Sequence, residues 1–291
     1  MASTQQLKRR IGSVKNTKQI TKAMEMVAAS KMRRAQDHAM QSREFRRLAR
    51  RILARLSEVT NVAKHPLYAQ RSISTRMHVF ITSDRGLAGA FYSNLFRSFM
   101  RELQADREKG VASKVIVIGR KGAHFISKLD GVETVAVYDG FPEHPTAADI
   151  QPILRSIIDM FKAEQADAVD VTYTDFRSSI SQVVVTERLL PAVFKETEQA
   201  KPTEEFDRAM VEPSPEEVLE QISERLVEVQ LSQAFRESQA SEHSSRMMAM
   251  KSATDNAGDL IDDLTLAYNT ARQASITQEL AEITGGAEAI N

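Results

Sequence analysis

The stretch Ser83–Phe91, SDRGLAGAF, has the residue types of a phosphate cradle. It follows a β-branched run and precedes a helical one, where a turn of small residues can bring backbone N–H groups up to an anion. Its spacing fits neither G-x-G-x-x-G nor G-x-x-x-x-G-K-[ST], and a strand-to-helix turn needs small residues for backbone reasons alone. GRKG, Gly119–Gly122, is a poorer match still. The six histidines (His38, His65, His78, His124, His144 and His243) are scattered, without H-x-x-x-H or a His/carboxylate spacing, so no metal site is expected. Asp262–Asp263 and Asp167/Asp170 are paired acids, expected on solvated helix or strand edges. G-x-S-x-G is absent, and there is no cysteine for a disulfide, a zinc thiolate or a nucleophile. None of these patterns assigns a catalytic, cofactor or metal site. An α/β enzyme with helical arms, the reading they leave open, would need a phosphate-binding loop that the sequence does not show.

Charge is distributed more informatively than its zero sum implies. Met1–Arg55 holds 15 Lys/Arg against 3 Asp/Glu, Glu204–Asn291 holds 6 against 18, and the middle balances at 18 of each. Ends of opposite sign attract each other or two different partners. No apolar run approaches the length of a membrane span. The start, MASTQQLKRRIGSVK, has no hydrophobic segment after its charges, so no secretory signal is expected.

The elements follow from periodicity. From about Gln5 to Ala63 there is no proline, and apolar or small residues recur at three and four. The stripe runs Leu7, Ile11, Val14; Ile20, Met24, Val27; Met32, Ala35, Ala39; Ala49, Ile52, Leu56, Val59. His65-Pro66 ends it. A helix of that length would extend roughly 80–90 Å, more than a domain of this size can wrap. A second long helix starts at SPEE, Ser214–Glu217, where Ser is the N-cap, Pro takes the first helical position and Glu the third. Its stripe opens with Val218, Ile222, Leu226 and Val229 and continues with Ala257, Ile261, Leu264, Tyr268 and Ala271. The RMMAM cluster, Arg246–Met250, reads as packing.

Between the helices the period becomes that of strands, at 77–83, 114–119, 132–138, 168–175 and 181–189. Helical stretches at about Ala88–Glu108, Lys121–Leu129 and Thr146–Gln165 separate the first four, which predicts a partly parallel sheet. The last two strands read as an added hairpin. The expected fold class is α/β. A long antiparallel coiled coil of the N- and C-terminal helices (1–64 and 214–291) is attached to a central Rossmann-like domain of about five strands (65–213). The later helix outreaches the earlier by about a dozen residues, on the order of 20 Å. Past about Arg272, in ARQASITQELAEITGGAEAI (271–290), it has no mate in its own chain. Ile276, Leu280 and Ile283 would be bare unless other chains surround them.

Four segments carry a resemblance: SVKNTKQITKAMEMVAASKMRRAQ (13–36), TSDRGLAGAF (82–91), RMMAMKSATDNAGDLI (246–261) and ARQASITQELAEITGGAEA (271–289). Together they resemble the γ-subunit family of the bacterial F-type ATP synthase. The family's C-terminal signature, [IV]-T-x-E-x-x-[DE]-x-x-x-G-[AS]-x-[SAKR], is met at Ile276, Thr277, Glu279, Glu282, Gly286, Ala287 and Ala289.

The resemblance implies the central-stalk rotor of a proton- or sodium-translocating synthase, one copy per complex and without catalysis of its own. Its coiled coil would stand in a hexamer of α and β subunits, with its α/β domain beside the ε subunit and on the membrane c-ring. It would carry torque between ring and hexamer, peripheral to the cytoplasmic face of the plasma membrane. The family's catch on the β subunit maps onto Arg272, Gln273, Thr277 and Glu279. Contact with β's acidic loop maps onto Met24 and Ala88, and the foot toward ε and the c-ring onto Phe206, Met210 and Val211. The basic N-terminal helix leaves an alternative open, a coiled-coil protein that binds nucleic acid. Against it stand an uninterrupted apolar stripe and almost no aromatic residues, Phe45 excepted.

Overall fold

The computed structural model describes residues 4–59, 65–142, 145–192 and 214–288, with only the backbone described in 37–59, 215 and 286–288. An N-terminal helix α1, Thr4–Val59, and a C-terminal helix α5, Pro215–Glu288, bracket an alternating α/β segment. The strands are β1 Thr75–Ile81, β2 Ala112–Ile118, β3 Glu133–Tyr138, β4 Ala168–Phe176 and β5 Gln182–Leu190. Helices α2 Phe91–Glu108, α3 Arg120–Ile126 and α4 Ala147–Lys162 lie between the first four. All five predicted strands are present, each end within about two residues of its expected place. The helix α2 begins later than expected, because the turn before it continues through Gly89, whose φ is 57°.

By compactness the chain divides into two units, residues 1–29 with 246–291, and residues 30–245.

In the unit of 30–245, the sheet order is β3-β2-β1-β4-β5. β1 pairs in parallel with β2 and β4, β2 with β3 likewise, and β5 returns antiparallel to β4. Chain direction in the sheet reverses after β3, so right-handed crossovers set α2 and α3 on one face and α4 on the other. Period-two alternation along β1 sends Met77, Val79 and Ile81 toward α4 and α5, where they meet Ile153, Ile157, Phe161, Leu226 and Val227. Phe80 faces the opposite way, against Phe91, Leu95 and Phe99 of α2. With both faces covered, the central strands are buried along Met77–Ile81, Val115–Ile118 and 168–174, and polar side chains among them, such as His78 and Asp170, find partners inside the protein.

Helix α5 starts where expected. The Glu217 backbone N–H donates to Ser214 Oγ at 3.2 Å, and Glu216 and Glu217 lie in the first turn, where negative charge favours the helix dipole.

In the unit of 1–29 with 246–291, α1 and α5 run antiparallel. Thr254 Oγ1 donates to Thr21 Oγ1 at 2.8 Å. A methyl group placed on Gly258 would lie 3.0 Å from Lys18 Nζ. The more buried positions of α5 are Met250, Thr254, Ala257, Ile261, Leu264, Tyr268 and Ala271, alternating steps of four and three. That is the a/d seam of a coiled coil.

Candidate interaction surface

The seam on α1 differs from the expected stripe. Leu7, Ile11 and Val14 belong to it, and a strict heptad continued from them reaches Lys18, Thr21, Glu25 and Ala28. Thr21 and Ala28 are buried. Ile20 and Val27 are instead 60% and 55% exposed, and Met26 is exposed beside them. The stripe read from hydrophobicity had slipped by one residue onto the neighbouring face, because three successive seam positions carry Lys, Thr and Glu. Following the heptad through polar residues would have found it. Met24 is half-buried at the border of that exposed face.

Register sets where α5 loses its mate. Seventeen residues separate Thr21 from Thr4, the first described residue, and the same interval past Thr254 ends at Ala271. Ala271 is half-buried, and every described side chain from Arg272 to Gly285 is exposed. Ile276, Leu280 and Ile283 are 49%, 58% and 68% exposed. At steps of four and three, Arg272, Ile276, Glu279 and Ile283 share one face of the helix, and Gln273, Thr277 and Leu280 share the next. Polar and apolar groups thus interleave around the tip. Thr277 Oγ1 donates to Gln273 O at 2.9 Å, and Ser275 Oγ to Glu279 Oε1 at 3.3 Å. Both are local bonds, which leave the Arg272 and Gln273 side chains presented to solvent. Asp262 and Asp263 are exposed, as expected of a solvated face.

The strand-to-helix turn after β1 is built to be rigid, and an anion already occupies it. Thr82 Oγ1 donates to Ile118 O at 2.7 Å and accepts from the Gly122 N–H at 2.9 Å. A Cβ on Gly119 would lie 2.7 Å from Thr82 Oγ1, and one on Gly122 would lie 2.6 Å from it, so both glycines are required by packing. Asp84 accepts from the backbone N–H of Arg120 at 2.8 Å and of Gly140 at 3.0 Å. The donors that a phosphate would need are therefore held by the protein's own carboxylate, whose charge repels another anion.

The sheet's direction reverses between β1 and β4, the place where an open α/β sheet commonly binds ligands. The continuation of β4 there is covered by α5, with Ser241 Oγ donating to Thr174 O at 3.0 Å. In the turn itself Ala88 is buried, and Arg85 and Leu87 are exposed. Leu87 has φ 65°, a conformation costly for a branched side chain.

Asp167 and Asp170 are buried, contrary to the solvated edges expected of them. Asp167 Oδ2 accepts from Ser74 Oγ at 2.7 Å and from the backbone N–H groups of Ser74 and Thr75 at 2.9 Å each. The Ser74 hydroxyl foremost, with these N–H groups, holds its pKa below the usual carboxylate range. Asp170 lies between Arg76, at 2.9 Å, and Arg188. Arg76 continues to Asp106 at 3.3 Å, and Asp106 meets His78 Nε2 at 2.8 Å. This interior ion network ties β1, β4, β5 and α2 together. His65 is likewise structural, its Nε2 2.6 Å from Glu220 and its Nδ1 accepting from the Leu67 N–H. Among the described residues no group of His, Asp and Glu could hold a metal ion, and no helix is long and apolar enough to cross a membrane. Phe206, Met210 and Val211, and with them His38 and His144, lie outside the residues whose side chains are described.

Comparison with known proteins identifies the family. The family model described as ATP synthase matches residues 3–290. The chain is 38% identical over 290 residues to the ATP synthase gamma chain of Actinobacillus succinogenes, covering all of both chains. It is equally identical over 295 residues to that of Nitrosomonas eutropha, again over the whole of both. Among solved structures it resembles a chain of the central stalk and c-ring structure of the Tetrahymena thermophila mitochondrial ATP synthase, with TM-score 0.61 and 27% identity over 80% of this chain and 99% of that one. A chain of the Euglena gracilis mitochondrial ATP synthase shares the fold, at TM-score 0.65 and 18% identity over 99% and 94% of the two chains. The chain belongs to the ATP synthase family, as a gamma chain: a non-catalytic subunit of the central stalk in a membrane-associated complex.

Proposed function

We propose that the exposed end of α5, from Arg272 onward, turns inside a collar of α and β subunits, and that the α/β domain stands on the c-ring beside ε. The observation that carries this reading is the overhang. The coiled-coil register exhausts the described part of α1 at Ala271, and Ile276, Leu280 and Ile283 then continue on a helix, exposed, with no described residue of α1 opposite them. Apolar side chains left in water on a helix end favour fraying, and a surrounding apolar collar removes that penalty.

The interleaved Arg272, Gln273, Thr277 and Glu279 are the catch on a β subunit. Charge-assisted bonds of about 1.5–3 kcal/mol each hold one angle and still release under torque. Met24, on the border of the exposed Ile20–Val27 face, meets β's acidic loop. In the turn 83–90, Leu87 and Arg85 are the presented side chains, and buried Ala88 allows the close approach behind them. Phe206, Met210 and Val211 are the foot. The working segments are 1–64 and 214–291 as shaft and 65–213 as body, on the cytoplasmic face of the plasma membrane. The basic N-terminal helix then needs no nucleic acid, because the acidic C-terminal segment of its own chain complements it.

Co-expression with the α, β and ε subunits of a bacterial synthase and purification in mild detergent tests the reading. A stoichiometric complex containing one copy of this chain is expected. A chain that purifies alone, or with nucleic acid, overturns it.

A further inference from the structure

The pairing of β1 with β4 ends at Thr172, but β4 and β5 run on together to the turn at Arg177–Ser181. Beyond Thr172 the hairpin is a two-stranded overhang, a form with little stability of its own. It is bonded to one short stretch of α5. Ser241 Oγ donates to Thr174 O at 3.0 Å, and Ser244 Oγ to Ser179 O at 2.8 Å. Gln182 Nε2 donates to Ser244 Oγ at 3.3 Å, and Ser245 Oγ to Gln182 Oε1 at 3.3 Å. Gln182 Nε2 also reaches the carbonyls of Ser178 and Ser179, each at 3.1 Å, so one amide closes the turn and ties it to the helix. Ser241 and Ser244 are wholly buried.

Near the start of α5 a second polar contact holds the same body. Lys162 Nζ lies 2.7 Å from Glu220 Oε1 and 3.2 Å from Glu224 Oε1. Between these two points the contact with the sheet and α4 is mainly apolar, through Leu226, Val227, Leu231, Ala234 and Phe235. Its polar contacts lie toward the hairpin end, where Glu237 hydrogen-bonds Tyr173 of β4 and Gln239 Nε2 donates to Pro142 O at 3.3 Å. An apolar face adheres without direction, so a helix twisted about its axis can roll against it. Hydrogen bonds away from that axis resist the roll.

We propose that the β4–β5 hairpin is a torque key: Gln182, Ser241, Ser244 and Ser245 lock α5 against rotation relative to the α/β body, so that turning the body turns the shaft. These are positioning residues, and the inference rests on the central-stalk reading above.

The test assembles the full chain with the α, β and ε subunits and c-ring of a bacterial synthase in vesicles. ATP hydrolysis and ion pumping are measured on one preparation. In Gln182→Ala/Ser244→Ala, hydrolysis is retained, the hairpin amides exchange hydrogen about tenfold faster, and ions pumped per ATP fall, the more so as the ion gradient builds. The chain has no cysteine of its own. Gln182→Cys/Ser245→Cys therefore breaks the same clamp, and a short bismaleimide across the two thiols restores pumping per ATP. Gln182→Ala alone, at a half-buried site, repeats the measurement if the double variant does not fold. Faster hairpin exchange with unchanged pumping per ATP under load overturns the key. Failure of the unaltered chain to assemble counts instead against the central-stalk reading.

Discussion

Thr21 and Thr254 face each other across the helical pair, their hydroxyls 2.8 Å apart, 233 residues apart in sequence and both buried. This bond marks the register, and the register decides how much of α5 extends past α1. Each hydroxyl also has a carbonyl on its own helix, Lys18 O at 3.1 Å for Thr21 and Met250 O at 2.8 Å for Thr254, so a single substitution removes the bond between the helices and leaves the other hydroxyl its local acceptor. Thr254→Val alone should destabilise the chain by about 0.5–1.5 kcal/mol in urea unfolding, and Thr21→Val/Thr254→Val should cost less than the two single losses added together. A loss in the double variant equal to the sum of the two single losses would show that the pair is not coupled.

Deleting Ile276–Asn291 should leave the unfolding midpoint of the isolated chain where it was, because the described side chains removed bury nothing of their own chain. The same deletion should lower the torque of the assembled motor, read from bead rotation against viscous load. A drop in melting temperature would place the tip in the chain's own core.

Arg272→Ala/Gln273→Ala should reduce ATPase turnover of the assembled complex by about tenfold or more, the equivalent of one charge-assisted bond. Circular dichroism of the isolated variant should be unchanged, since both side chains are exposed. Unaltered turnover would remove them from the catch.

Asp84→Ala releases the backbone N–H groups of Arg120 and Gly140 at the ends of β2 and β3. The expected cost is about 1–3 kcal/mol of stability, measured by urea unfolding. An unchanged midpoint would mean that solvent satisfies those donors equally well.

Acid should weaken the fold partly through Asp167. Its folded pKa is depressed, so the stability it contributes is present above its unfolded value of about 4 and is lost as pH falls through the folded one. Asp167→Asn should lower stability at neutral pH and flatten the decline between about pH 5 and pH 2. A slope identical to that of the unaltered chain would assign the acid sensitivity to other carboxylates.

Most of the body was legible because its signals are local. Strand runs such as Val79–Ile81 and Val115–Ile118 are apolar on both faces, and the helices between them dictate parallel pairing. Ser214, Pro215 and Glu217 announced the start of α5 by cap chemistry. The overhang was legible too, since it needs only two helix lengths and one antiparallel register. The α1 seam was not, because Lys18, Thr21 and Glu25 occupy positions that hydrophobicity alone assigns elsewhere. Nor were the roles of Asp84, Asp167 and Asp170 visible, their partners lying 36, 93 and 94 residues away.

What the amino-acid order determined by itself was the set of elements, their sequence along the chain, and the bare apolar tip, all consequences of short-range periodicity and capping. What only the tertiary structure decided was which side chains face one another. It fixed the seam through polar positions, filled the anion site with Asp84, and set the hairpin's carbonyls against Ser241 and Ser244. Such pairings depend on how residues far apart in sequence are brought within about 3 Å, the range over which hydrogen bonds act.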